Sequence, residues 1–562
     1  MKHFAAALAA FVAPAAVIAL ACPAEADVLI DNVNGMSFGA DGQVQRFNGV
    51  LVGDDGRIVQ VLQRADKRPG NVDYRLDGKG QVLLPGLIDS HAQVMKLGFA
   101  QLALDLSAAR TLAEAQARIA AYAAAHPERQ WILGRGWNAG KWGLGRLPTA
   151  ADLDAAISDR PVWLIDASGH SGWANSAALA AAGVSAATKD PAGGRIHRVP
   201  GGMKPAGVLD NEATALIEAH IPPPRAEDRD LALGEAQQVL LRQGVTTVAD
   251  MGATIEDWQT YRRAGDLGRL RLRIVAYAVD TDAMALIGGP GPTPWLYDDR
   301  LRLNGVSLTL DGALAARGAA LKAPYADQPG NRGLSRLNGT RLRNLMSRAA
   351  IDGFQVALTA HGDAANADAL AAIEELSETY KGDRRWRIEQ AQVIDPADFA
   401  RFGRNGIVTS MQPQDLEDGR GVAEARLGPA RLAGTFAWRS ISGAGAVLAF
   451  GSGAPAEKPA PFAGMAMAIT RQGADGQPFG GWQAQERLTR EAALAAYGTS
   501  AAHALFAEGR FGRIERGQRG DFILVDHDPL LASPDELRAT RVLQTWVGGK
   551  LVYQAKDSSA GR

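Results

Sequence analysis

The chain has 562 residues, with 60 basic and 61 acidic side chains, a formal net charge of −1, and 46 % apolar and 22 % charged residues. This length exceeds a single small core and suits a barrel of about 250 residues or more plus an accessory domain. The near-zero charge excludes a global field able to hold nucleic acid or an anionic bilayer, and the composition excludes wholesale disorder.

The first stretch, MKHFAAALAAFVAPAAVIALACPAEAD, places Lys2 ahead of an apolar run from Phe4 to Ala21 and ends in Ala24-Glu25-Ala26. It reads as a secretory signal over residues 1–26, cleaved after Ala26, which leaves a periplasmic or secreted protein without an integral membrane segment. The only cysteine, Cys22, departs with the signal, so the mature chain has no disulfide. The alternative is a lipoprotein acylated at Cys22, which needs a leucine-like residue where Ala19 stands.

From about Val28 to Leu84 apolar and polar residues alternate between turn signals, as in GVLVGDDGRIVQVL, where Asp55-Gly56 fits a hairpin turn. The chain end has the same texture in RGDFILVDHDPL and RVLQTWVGGKLVYQ, with Gly548-Gly549 as a second tight turn. Residues 27–84 and 507–555 are therefore expected to pair in one small β-sandwich, because each part alone has too few strands to be stable. Between them, runs such as LLPGLID, GVTTVAD, LRIVAYAV, FQVALTA and AVLAFGS alternate with segments of helical period such as LAEAQARIAAYAAA. That order predicts a parallel sheet with crossovers, closed into an α/β (β/α)8 barrel of the TIM type over residues 85–506. Residues from about 102 to 224, with WILGRGWNAGKWGLGRLPT and AGGRIHRVPGGMKPAGV, exceed what the repeats need and are read as an insertion over the barrel mouth.

The run LLPGLIDSHAQ is followed in order by LDLSAARTLAEA, WILGRGWN, RLPTAADLD, GHSGWANSAAL, GVTTVADMG, LDGALAARGAAL, GDAAN, RIEQAQV, SMQPQ, AWRSI, LAFGSGAP and GDFILVDHDPL. In these stretches the sequence resembles amidohydrolase family 3, the YtcJ-like members of the metallo-dependent hydrolase superfamily. The resemblance implies a metal centre at the C-terminal ends of the barrel strands and hydrolysis of amide-like C–N bonds by metal-activated water. It also implies ligand positions that this chain fills otherwise. The histidine after His91 is Gln93; the lysine that becomes carbamylated is Ser307; a histidine is Thr359, with His361 two residues on; the histidine of Arg-Ile-Glu-His is Gln390; after Met-Gln-Pro the family commonly has a histidine one residue further on, and here Gln414 is followed by Asp415; and the aspartate of Gly-Ser-Asp-Ala-Pro is Gly453. Neutral amides and hydroxyls are poor ligands for transition ions, so no metal and no other cofactor is expected.

The residues named as catalytic are His361, Asp415 and His91. Period two along the strand puts His361 on the face of Thr359, where it could form a metal-free acid/base couple with Asp415. A rebuilt metal site from His91, His361, Asp415 and Glu389 is the minority alternative. His170 in GHSGWANS, Gln93, Trp137, Asp311 and Gln390 are named as substrate-binding. Each has a plainer reading. His170 and Trp137, like Trp142 and Trp173, can be packing residues, and Asp311 a turn residue. The leading reading is an exported hydrolase of a small molecule, or a metal-independent derivative of one. Its rival is a non-catalytic small-molecule-binding protein, and a homo-oligomer is compatible with either.

Overall fold

The computed structural model describes residues 26–167, 169–191 and 193–556. The segment expected to be a signal, with Cys22, lies outside the described residues, except that its last residue, Ala26, begins a strand. Eight parallel strands form the central sheet in chain order: β1 (Leu87–Ala92), β2 (Val245–Ala253), β3 (Arg273–Ala278), β4 (Leu301–Thr309), β5 (Gln355–Ala360), β6 (Arg387–Gln390), β7 (Val408–Met411) and β8 (Val447–Phe450). Beyond β8 the chain turns back to β1: Gly453 N–H donates to the His91 carbonyl at 2.8 Å and Ser452 N–H to Asp89 Oδ1 at 2.9 Å. Gly451 makes this approach possible, since a Cβ there would lie 2.4 Å from His91 N.

The strands are buried on both faces, which is why β2, VTTVADMGA, reads as a nearly continuous buried run rather than an alternating one. Helices cover the outside. Ile255–Asp266 shows how: Thr254 caps it, Asp257 completes a capping box, and Trp258, Tyr261 and Ala264 recur at helical spacing to bury one face. Inside, Ile88, Ala249, Val275, Ala357, Val408 and Ala449 pack together with Ala501, Ala502, Leu505 and Phe511 from the segment after the last barrel helices. So many alanines leave room at the axis for larger polar side chains.

Both chain ends contribute to the β-sandwich. One sheet orders Ile58–Leu62, Gly49–Gly53, Ala26–Asp31 and Tyr74–Asp77; the other orders Lys550–Gln554, Val542–Val547, Phe522–Val525, Val82–Pro85, Asn34–Phe38 and Val44–Phe47. The junction is Val82–Pro85 antiparallel to Phe522–Val525, with Leu83 opposite Leu524. Ile30, Val50, Val52, Leu83, Phe522, Leu524 and Trp546 fill the space between the sheets. Gly548 and Gly549, at φ 59° and 71°, make the two-residue turn between the last strands, a conformation of the I′ type that glycine accepts without strain. A buried ion pair, Arg273 Nε to Asp521 Oδ2 at 2.5 Å, ties β3 to this sandwich.

The segment between β1 and β2 holds a six-stranded sheet of its own: Gly194–Arg198, Pro205–Asn211, Ser171–Ala174, Val162–Asp166, Ile132–Trp137 and Leu104–Asp105. It has its own apolar cores, one built on Leu106, Ile119, Leu153, Trp137, Trp142 and Trp173.

Candidate active site

A polar network occupies the barrel axis. Tyr277 Oη donates to Gln355 Oε1 at 2.6 Å, and Asn304 Nδ2 donates to the same oxygen at 2.8 Å. Arg387 Nη1 donates to Tyr277 Oη at 2.9 Å, Nη2 to the Ser90 carbonyl at 2.8 Å and Nε to Glu389 Oε1 at 2.7 Å. Period two along β6 puts Arg387 and Glu389 on the same inward face. The other oxygen of Glu389, Oε2, meets His91 Nδ1 at 2.8 Å. Burial works to raise the Glu389 carboxyl, but the Arg387 charge and the bonds from His91 and Arg387 overcome it and hold the group below its ordinary value. Glu389 is therefore a buried carboxylate that fixes the imidazole from behind.

With Nδ1 committed to Glu389, a neutral His91 ring presents Nε2 as its proton-accepting nitrogen. Among the described residues Nε2 has no hydrogen-bond partner, and the side chain keeps 11 % of its surface open. Asp415 stands in the short turn Pro413–Asp415 that follows β7. Burial first, then the charge of Glu457, pushes its carboxyl up to about 7 against the pull of His91. Around these two groups lie buried polar atoms without partners: Asp89 Oδ2, Ser410 Oγ, Tyr497 Oη and both amide atoms of Gln412. Buried polar groups are otherwise almost always paired, so these mark where water or a ligand completes the structure. At the end of β6, Gln390 and Ala391 hold positive φ of 70° and 44°, a strained conformation for residues with a Cβ.

The structure reassigns several of the residues named from sequence. His361 does not pair with Asp415. Its Nδ1 faces Asp311 Oδ1 at 3.2 Å, and its backbone N–H donates to the same oxygen at 2.9 Å. Asp311 is not free for substrate either: it is buried and also accepts from Ala320 N at 2.9 Å and Gly362 N at 2.8 Å. Together they lock the loop after β4 to the loop after β5. Trp137 belongs to the core of the inserted sheet, where its Nε1 donates to the Leu164 carbonyl at 2.9 Å, so packing accounts for it. His170 is exposed in the turn that joins Val162–Asp166 to Ser171–Ala174, and its backbone N–H donates to Asp166 Oδ1 at 2.9 Å. Gln93 follows β1 and donates through Nε2 to the Met251 carbonyl at 3.1 Å. Gln390 is half-buried at the end of β6. The site thus brings together His91, Glu389, Asp415 and Gln412, with Gln93 and Gln390 at neighbouring strand ends.

Among the described residues no three His, Cys, Asp or Glu side chains are arranged to hold a metal ion, which removes the rebuilt site of His91, His361, Asp415 and Glu389. At Gly453, beyond β8, a Cβ would touch only Gln412 Cγ, at 3.4 Å.

Tyr277, Asn304, Gln355, Arg387, Gln412, Tyr497 and Glu457 were not singled out from sequence. A signal existed for some: Asn304 in LRLNGVSL and Gln355 in FQVALTA interrupt apolar runs, and Arg387-x-Glu389 is a charge pair at strand period. A polar residue inside a buried strand needs a partner, and that requirement points to a network.

An eight-stranded parallel barrel carrying a β-sandwich, with titratable groups at the C-terminal ends of its strands, is an architecture shared with metal-dependent hydrolases of known structure. The sequence profile of the amidohydrolase family matches residues 76–553, and the chain belongs to that family. It is 31 % identical to YtcJ of Bacillus subtilis (strain 168), over 84 % of this chain and 89 % of that protein. It is 29 % identical to the N-substituted formamide deformylase of Arthrobacter pascens, over 95 % and 99 %. The crystal structure of an uncharacterized metal-dependent hydrolase from Pyrococcus horikoshii shares the fold, with a TM-score of 0.76 at 23 % identity, over 90 % of this chain and 99 % of that one.

Proposed function

We propose that this chain is an exported enzyme that hydrolyses an amide-like C–N bond of a small molecule without a metal ion. One observation carries this reading: His91 is oriented through Nδ1 by a buried carboxylate while Nε2 stays free, beside an Asp415 that is half-protonated near neutrality. Family membership and the likeness to a formamide deformylase support the bond type.

The chemistry follows from the two groups. His91 Nε2 takes a proton from a water whose oxygen attacks the substrate carbonyl carbon; the imidazolium that forms is stabilised by Glu389. As the tetrahedral adduct collapses, the C–N bond breaks and Asp415 gives its proton to the departing nitrogen. The products are an acid and an amine, and the imidazolium proton returns to the Asp415 carboxylate through solvent. Gln412 Nε2, an unpartnered donor, is placed in this scheme at the substrate carbonyl.

Metal analysis tests the reading directly. Protein purified without added metal is expected to hold well under about one equivalent of zinc, manganese or iron, and a chelator is expected to leave its hydrolysis of N-substituted formamides or other small amides unchanged. A stoichiometric ion whose removal abolishes turnover would overturn the metal-free scheme. Absence of turnover on a broad amide panel, with ligands still bound, would make the chain a binding protein instead. Export has its own check: intact mass of the secreted protein is expected to place the first residue at Asp27, and a lipid-bearing Cys22 would contradict it.

A further inference from the structure

The sequence holds five Asn-Gly pairs, at residues 34–35, 48–49, 304–305, 338–339 and 405–406. Such a pair is prone to lose the asparagine amide, because glycine has no side chain to keep its nitrogen from the neighbouring amide carbon. In a folded chain two conditions must hold: the amide must be free to leave, and the backbone must bring the glycine nitrogen near Cγ. The structure separates the five pairs on both.

Four pairs are tied down. Asn34 Nδ2 donates to the Gly80 carbonyl at 2.6 Å, and Asn48 Nδ2 to the Val33 carbonyl at 3.2 Å. Asn304 Nδ2 is committed to Gln355 Oε1 and to Tyr277 Oη, at 2.8 and 3.2 Å. Asn405 Nδ2 donates to the Arg401 carbonyl at 2.8 Å and to Glu374 Oε1 at 3.3 Å. Their glycines are fixed as well. Gly35, Gly49 and Gly305 are buried within strands, and Gly406 N–H donates to the Gly403 carbonyl at 3.0 Å. Attack at any of these pairs must first give up that packing and bonding.

Asn338 meets both conditions. It and Gly339 are exposed, and among the described residues the Asn338 amide makes no hydrogen bond. Asn338 directly precedes the helix Gly339–Ile351, so the Gly339 N–H is one of the donors that lack an acceptor within the helix. The Asn338 ψ of −178° sets the Gly339 nitrogen gauche to the Asn338 Cβ, a modest rotation away from Cγ. Space does not oppose the closure: Gly339, at φ 52°, has nothing within 4 Å of where a Cβ would stand. The chain just before it is anchored, since Arg336 N–H and Leu337 N–H both donate to the Leu310 carbonyl beyond β4, at 2.7 and 3.3 Å.

We infer that Asn338 is a site of spontaneous deamidation in the folded protein. The Gly339 nitrogen, giving its proton to solvent, attacks Asn338 Cγ; the Cγ–Nδ2 bond breaks, and the departing nitrogen takes a proton from water and leaves as ammonia. Water then opens the five-membered imide at either carbonyl, so that an aspartyl or an isoaspartyl linkage replaces asparagine. The chain gains one negative charge at the amino end of a 13-residue helix whose first turn holds no acidic side chain, a place where a carboxylate is favourable. Folded molecules of different age therefore differ in charge beside the loop that leaves β4. The reaction needs only water and is independent of the hydrolytic scheme at His91.

Peptide mapping by mass spectrometry, on folded protein incubated at mildly alkaline pH, is the test. The peptide with Asn338 is expected to become about 1 Da heavier, in two chromatographic forms, at least about tenfold faster than the peptides with the other four pairs. In guanidinium chloride all five pairs should react at comparable rates, because the bonds that protect four of them are gone. Asn338→Ser, which keeps a side chain able to cap the helix, should abolish the first acidic form seen on isoelectric focusing. Another pair reacting as fast as Asn338 in the folded protein would overturn the inference. So would an Asn338 still intact in the folded protein when the unfolded chain has reacted at all five pairs, or an acidic form that persists unchanged in Asn338→Ser.

Discussion

Glu389→Ala is expected to destabilise the fold by about 3–5 kcal/mol, the usual cost of stripping one partner from a buried ion pair. Arg387 and Glu389 both have side chains that are 0 % exposed. Without the carboxylate, Arg387 keeps only the neutral oxygens of Tyr277 and Ser90, and its charge stays in the barrel axis without compensation. His91 loses its orienting partner in the same step. Chemical denaturation is the measurement: the midpoint should move sharply to lower denaturant with little change in slope. Arg387→Met combined with Glu389→Leu should recover much of the loss, because removing both charges also removes the desolvation penalty. If the single variant unfolds at the wild-type midpoint, the pair is not the electrostatic anchor of the barrel.

The fold was legible because it is written in repeated patterns. Alternating strands at both chain ends, buried strand runs between helical segments, and the Gly548-Gly549 turn each follow from local chemistry, and β2 shows the expected two-sided burial. The excess between β1 and β2 was also visible, and it folds as a sheet with its own core. The site was less legible. Strand period suggests a pair of His361 with Asp415, whereas His361 meets Asp311. Sequence places His361 at strand period after Thr359, yet cannot show that Asp311, fifty residues earlier, occupies its Nδ1. Likewise Trp137 in a glycine-rich stretch looks like a pocket wall until the inserted sheet is seen to close around it. Contacts between strands distant in sequence, such as Glu389 on β6 with His91 on β1, depend on barrel register, which no local pattern encodes.

The largest functional effect is expected at His91. If it is the base, His91→Ala should lower kcat/KM by about 10²–10⁴-fold, the usual worth of positioned proton transfer. Such a loss could also follow from a damaged fold, so the pH profile carries the argument. Asp415 must be protonated to serve as the acid, and its carboxyl sits at about 7. Activity should therefore fall as pH rises through that value. Asp415→Asn should be less active and lack that alkaline limb, whereas His91→Ala should keep the limb in its residual rate.

Stability has a related but separable trend. Asp250, held by Val94 N at 2.8 Å and Tyr261 Oη at 2.7 Å, is also raised to about 7, chiefly by burial. A carboxyl raised on folding contributes stability that is full below its unfolded value and is lost as pH climbs through the folded one. Both Asp250 and Asp415 should therefore make the wild type less stable at pH 8 than at pH 5, in the ~4–7 window set by their unfolded and folded values. Asp250→Asn should flatten part of this melting trend while leaving the alkaline limb of the rate in place, because Asp250 takes no part in the chemistry. An alkaline limb that survives in Asp415→Asn, or disappears in Asp250→Asn, would remove Asp415 from the role of acid.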